Sequence, residues 1–122
     1  MLAEDEPDLM EIFSLKLKTS GFNLLTAGNG QTVLDLVKKE KPTLVLLDLV
    51  MPDMDGYAVL AELKKDKNLK GKTLVYVWSN LTQKSEIDKA HKLGADGYLI
   101  KSSFTPSKLA EKVTEILTSI KK

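Results

Sequence analysis

The five residues from Thr43 to Leu47, Thr-Leu-Val-Leu-Leu, leave this chain few folds to choose from. They are mostly β-branched or aliphatic with no polar alternation, which is the pattern of a strand covered on both faces in a parallel sheet. The run ends in a carboxylate, Asp48. Pro52, Asp53, Asp55 and Gly56 follow, turn residues that reverse the chain and can cap a helix beginning near Tyr57. A second run without polar alternation, Thr73 to Trp78, ends at Ser79-Asn80.

Helical patterns fill the spaces between such strands. From Pro7 to Ser20, Leu9, Met10, Phe13 and Leu17 recur at helical spacing, and Gly21 is a stop. Asn23 to Ala27 reads as a strand, Gly28-Asn29-Gly30 as a turn, and Thr32 to Lys39 as a helix with Val33, Leu34 and Val37 inward. Tyr57 to Lys65 carries an apolar stripe of Val59, Leu60 and Leu63. Thr82 is expected to cap a helix through Leu93, and Gly97 to Ile100 is a short strand running into Lys101. Thr105-Pro106 then opens a terminal helix with Leu109, Val113, Ile116, Leu117 and Ile120 on one side. Strand and helix alternate throughout, which predicts a doubly wound α/β sandwich with right-handed crossovers. Only the first strand is weak, since Met1-Leu2-Ala3 is all that precedes Glu4-Asp5-Glu6-Pro7.

Bulk properties narrow the function classes. A chain of 122 residues fits one domain, expected to span 1–122. A net charge of +1 gives no global pull toward nucleic acid or membrane, so partners must be argued from a local site. The absence of cysteine excludes disulfides, thiolate metal sites and Cys nucleophiles and suits a reducing cytoplasm. No apolar run is long enough to span a bilayer, and no signal peptide is expected.

In a doubly wound sheet, ligands bind beyond the carboxyl ends of the strands. Those ends bring together Glu4 and Asp5, Asp48, Ser79 with Asn80, and Lys101. Three close carboxylates raise one another's pKa unless a cation compensates, and a set of hard oxygen ligands favours Mg²⁺. A hydroxyl and an ammonium beside them are what a phosphoryl group needs: Ser79 donates a hydrogen bond and Lys101 pairs with oxygen charge. Asp48 can then act as nucleophile and become an acyl phosphate.

Leu2-Ala-Glu4-Asp5-Glu-Pro, Leu46-Leu-Asp48-Leu-Val-Met-Pro-Asp-Met-Asp-Gly56, Val77-Trp-Ser79-Asn80 and Gly94-Ala-Asp-Gly-Tyr98-Leu-Ile-Lys101 together resemble the receiver domain of bacterial two-component response regulators, over essentially the whole chain. The resemblance implies a flavodoxin-like, five-stranded parallel sheet in the order 2-1-3-4-5 with five helices. It implies that Asp48 accepts a phosphoryl group from a histidine kinase or phosphotransfer protein, that Glu4, Asp5, Asp48 and the backbone carbonyl of Val50 hold Mg²⁺, and that Ser79 and Lys101 contact the phosphoryl group. It also implies that Ser79 and Tyr98 act as the switch, remodelling the face of helix four, strand five and helix five toward a downstream protein. No direct nucleic-acid or membrane binding is expected.

The chain departs from that pattern in four places. Its first strand is short, as in a truncated or engineered version, and unpaired backbone beside it would favour a homodimer or domain swap. Ser102 follows Lys101 where the family usually has proline. Trp78 stands where a smaller aliphatic residue is usual, so it is expected to be overpacked or to lean out beside the site. Val50 and Leu81, two residues past Asp48 and Ser79, stand at positions that in the family influence how readily water reaches the acyl phosphate; both are apolar and cannot orient water, which predicts slow autodephosphorylation, and no separate small-molecule turnover is expected.

Two rival functions belong to other classes. One is an Asp-nucleophile phosphatase, although Asp48-Leu-Val50 lacks the second acid such enzymes use to protonate a leaving group. The other is a receiver-like scaffold with an impaired site, whose role is assembly. Asp53 and Asp55 read as turn and cap residues, His91 as a surface residue, and Lys64-Lys65 and Lys121-Lys122 as solvated charges.

Overall fold

The computed structural model describes residues 1–120. Five strands, β1 (Leu2–Ala3), β2 (Thr26–Ala27), β3 (Leu44–Leu47), β4 (Leu74–Ser79) and β5 (Gly97–Ile100), form one parallel sheet in the order β2-β1-β3-β4-β5. The helices are α1 (Pro7–Thr19), α2 (Gly30–Glu40), α3 (Gly56–Lys65), α4 (Lys84–Lys92) and α5 (Pro106–Ile120). This is the doubly wound arrangement that the alternation predicts, in the flavodoxin-like strand order that the receiver resemblance implies. The pair Lys121-Lys122 lies outside the described residues.

Continuous apolar runs make two cores, because each strand points alternate residues to opposite faces. Val45, Leu47, Val75 and Val77 pack under α2 and α3 with Val33, Val37, Val59 and Leu60. Leu44, Leu46, Trp78 and Leu99 pack on the other face with Phe13 and Leu17 of α1 and Leu109, Val113 and Ile116 of α5. The terminal helix differs from expectation at Ile120, which is exposed. Among the described residues, no helix is long and apolar enough to cross a membrane.

Side-chain caps open α2, α3 and α5, and two helix starts differ from expectation. α2 begins at Gly30, inside the expected turn, because the Asn29 side chain accepts the Thr32 N–H at 2.9 Å. α4 begins at Lys84 with Gln83 before it, which makes no side-chain cap; Thr82 stays in the loop. The Thr105 hydroxyl caps α5 as expected, accepting from Lys108 at 3.2 Å.

The loop after Asp48 is fixed at both of its acids. Asp55 caps α3 through Tyr57 N–H at 3.0 Å. Asp53 reaches across the loop and caps a different helix, accepting Gly30 N–H at 2.7 Å and Gln31 N–H at 3.0 Å. Gly56 sits so close to Leu49 that any Cβ would collide with the Leu49 backbone. The backbone bonds from Gln31 and Gly30 hold the Asp53 carboxyl below its usual range. A depressed carboxylate pKa stabilises the fold above the unfolded value and stops doing so as pH falls through the folded one. Asp53→Ala should therefore lower the denaturation midpoint at neutral pH, and the difference from wild type should vanish on acidification.

The short first strand is central and paired on both sides. Leu2 N–H and Glu4 N–H donate to Leu25 and Ala27, while Met1 and Ala3 carbonyls accept from Leu46 and Asp48. A cleft of about 390 Å³ is lined by Met1, Leu24, Leu25, Thr43, Val113 and Leu117 among others.

Candidate functional site

Register in the parallel sheet decides which side chains meet. Ala3 lies level with Leu47, so Glu4 and Asp48 leave adjacent strands side by side at the carboxyl edge. Both are buried: Glu4 is 1% and Asp48 2% exposed. Carboxylate oxygens of Glu4, Asp5 and Asp48 all lie within 4.8 Å of one another, with Asp5 exposed.

Among the described residues, one ammonium serves this cluster. Lys101 Nζ lies 2.8 Å from Asp48 Oδ2, 2.8 Å from Glu4 Oε1 and 3.0 Å from Glu4 Oε2. It reaches the site because β5 ends at Ile100 and the chain turns at once into a 3₁₀ turn, Lys101–Ser103. Asp48 Oδ1 also accepts the Val50 N–H at 2.9 Å. Burial raises the Asp48 pKa to about 6, with the Glu4 charge adding to the effect and Lys101 and the Val50 N–H opposing it. Burial also pushes Glu4 upward, but hydrogen bonds from Lys101 and Glu6 outweigh it and hold Glu4 below its usual range. Burial works against the Lys101 charge, and the bonds to Asp48 and Glu4 overcome it, raising the lysine pKa. One lysine therefore balances one of two buried acids. The remaining charge, with Asp5 beside it and an all-oxygen donor set, is what a hard divalent cation fits.

Ser79 is buried at the end of β4, and its Oγ accepts the Leu81 N–H at 3.1 Å. Tyr98, half-buried on β5, donates from its hydroxyl to the Leu81 carbonyl at 2.7 Å. Its burial raises the phenol pKa although the Ser79 hydroxyl opposes this. Ser79, Leu81 and Tyr98 thus form one hydrogen-bonded chain from the buried edge to the start of the α4 region. α4 itself buries only Ala90. Its Glu86 accepts from the Tyr57 hydroxyl of α3, and Lys89 Nζ lies 4.1 Å above the Tyr57 ring. Val50 and Leu81 are exposed, at 59% and 37%, and His91 is an exposed residue of α4.

Three residues have roles that the sequence reading lacks. Trp78 does not lean out: it is fully buried and donates its indole N–H to Glu4 Oε1 at 3.1 Å. Asn80 Oδ1 accepts the Ser102 N–H at 2.8 Å, tying the end of β4 to the Lys101 turn. Proline at 102 has no N–H to give, so the serine is part of this tie. Tyr57 anchors α4 through Glu86. The available sequence signal was a polar-tipped aromatic or amide next to Ser79.

Fold and site define a class first: a doubly wound α/β domain with an acid cluster, a buried hydroxyl and a lysine at the carboxyl edge of its sheet. Residues 1–114 match the response regulator receiver domain, and the chain belongs to that family of two-component signalling domains. It is 31% identical over 122 residues to the probable transcriptional regulator ycf27 of Porphyridium aerugineum, covering 100% of this chain and 49% of that protein. The chain thus spans about half the length of the curated relatives it matches. Among solved structures, it is similar to the signal receiver domain of a signal transduction histidine kinase from Syntrophus aciditrophicus, at 26% identity and TM-score 0.84 over 99% of this chain and 90% of that one. It is also similar to the Mn²⁺-bound form of the response regulator Rcp1, at 29% identity and TM-score 0.76 over 94% and 88%.

Proposed function

We propose that residues 1–122 form a single phosphoacceptor receiver in which Asp48 takes a phosphoryl group from the phosphohistidine of a histidine kinase or phosphotransfer protein. The observation that carries this reading is a buried carboxylate, Asp48, held at 2.8 Å by Lys101 beside two further acids. An Asp48 oxygen attacks phosphorus, the phosphorus–nitrogen bond breaks, and the imidazole leaves with a proton. Lys101, already at the carboxylate, pairs with the phosphoryl oxygens, and the Ser79 hydroxyl donates to them. Glu4, Asp5, Asp48 and the Val50 backbone carbonyl are the groups that would hold Mg²⁺. The ion supplies charge neutralisation for the transferring group. The Mn²⁺-bound Rcp1 relative supports a divalent site of this kind.

The signal leaves through the Ser79–Leu81–Tyr98 chain. A Ser79 hydroxyl that turns to the phosphoryl group releases the Leu81 N–H, and Leu81 carries the Tyr98 hydroxyl with it. That alters the face of α4, β5 and α5, where a downstream protein docks. The test is Mg²⁺-dependent labelling by acetyl phosphate, read as a gain of one phosphoryl mass that is lost on base treatment. Labelling without Mg²⁺, or none with it, would overturn the reading.

Exposed Val50 and Leu81 offer no group to orient water, so the acyl phosphate should be long-lived. Val50→Asn with Leu81→Glu is expected to speed its hydrolysis roughly a hundredfold, the lower end of what a positioned proton acceptor contributes. An unchanged phosphoryl lifetime would exclude this role.

A further inference from the structure

We propose that Trp78 is a positioning residue for the acid cluster, its indole N–H holding the Glu4 carboxylate in place so that Lys101 can leave Glu4 without disordering it. The inference rests on the reading of the site as a metal-assisted phosphoacceptor.

The indole has one donor and no acceptor, and it is spent on Glu4 Oε1 at 3.1 Å. A donor aimed at an ionised acceptor makes one of the stronger hydrogen bonds in a protein. The ring has no freedom to turn away. Phe13 of α1 meets it edge-on with centroids 5.1 Å apart, and Phe104, just past the Lys101 turn, lies 6.0 Å away. Glu4 has two other donors, the Glu6 N–H at 3.1 Å to Oε2 and Lys101 to both oxygens. Lys101 is shared with Asp48, so a phosphoryl group on Asp48 competes for it. Once Lys101 turns, Glu4 is held at one oxygen by Trp78 and at the other by Glu6. Without the indole N–H, only a single backbone bond fixes a buried charge that faces Asp48 and Asp5. A core tryptophan chosen for volume alone would need no such alignment.

The chain contains one tryptophan, so ¹⁵N-labelled protein gives a single indole N–H resonance. In metal-free protein, Glu4→Gln should move that resonance, because the acceptor loses its charge. In wild type the resonance should shift during Mg²⁺ titration with the midpoint of the Asp5 and Asp48 amides. Replacing Trp78 by its benzothienyl analogue keeps the ring shape and removes only the N–H. That protein should keep its circular dichroism spectrum and bind Mg²⁺ about tenfold more weakly, the lower end of what losing a supporting partner costs a metal site. An indole resonance unmoved both by saturating Mg²⁺ and by Glu4→Gln overturns the role of Trp78 and leaves the phosphoacceptor reading intact. Unchanged Mg²⁺ affinity in the folded analogue does the same. Absence of Mg²⁺ shifts at every wild-type resonance overturns both.

Discussion

Asp48→Asn is expected to abolish phosphoryl labelling and, in the metal-free protein, to raise stability. The first effect follows from the proposed reading, in which a carboxylate oxygen of Asp48 attacks phosphorus and an asparagine amide does not. The second follows from charge: Glu4 and Asp48 are both buried and share one ammonium, so neutralising one leaves a one-to-one pair of Glu4 and Lys101. The folded Asp48 pKa of about 6 lies above its unfolded value of about 3.9. The folded protein therefore binds more protons between those values, and Asp48 subtracts stability as pH rises through about 6. Two pKa units correspond to about 3 kcal/mol. The asparagine also loses its charged bonds to Lys101 and Val50, so a net gain of about 1 to 2 kcal/mol at neutral pH is expected. Urea denaturation across the acid range checks it: wild type and variant should coincide below about pH 4, separate between about pH 4 and pH 6, and stay a constant distance apart above that. Mg²⁺ should then reverse the order, stabilising wild type and leaving the variant little changed.

The features that made this site legible in the sequence are those that act along the chain. Thr43–Leu47 and Thr73–Trp78 read as buried strands because both faces are covered, and a buried parallel strand fixes where its carboxyl end lies. Asp48 and Ser79 therefore fall at one edge on the strand pattern alone. Gly97–Ile100 ends at Lys101 for the same reason. What acts across the chain was not legible. The indole of Trp78 meets a carboxylate 74 positions away, Asn80 meets Ser102 across two strands, and Asp53 caps a helix that starts 23 residues earlier. No periodicity reports such pairings. α4 starts one residue past the position a Thr82 cap would give, because its sequence is polar and it buries only Ala90, so no apolar stripe marks where it begins.

Lys101→Ala carries the largest expected loss of stability. It leaves Glu4 and Asp48, 1% and 2% exposed, with no cation between them. Removing one partner of a buried ion pair costs roughly 3 to 5 kcal/mol, because the charge left behind has neither water nor counterion. The wild-type lysine has a raised pKa, so its contribution is fully present below the unfolded lysine value and is lost only as pH rises through the folded one. In the variant both carboxylates gain affinity for protons, so its deficit should grow from acid toward neutral pH. Two additions should separate this electrostatic cause from simple loss of packing. Acidification should recover much of the deficit by protonating the pair, and Mg²⁺ at about a hundred times its dissociation constant should restore about 2.7 kcal/mol. Lys101→Met, which keeps the stem, should behave like alanine if charge is the cause. A deficit that neither protons nor Mg²⁺ relieves, and that methionine repairs, would assign Lys101 to packing and remove it from the phosphoryl site.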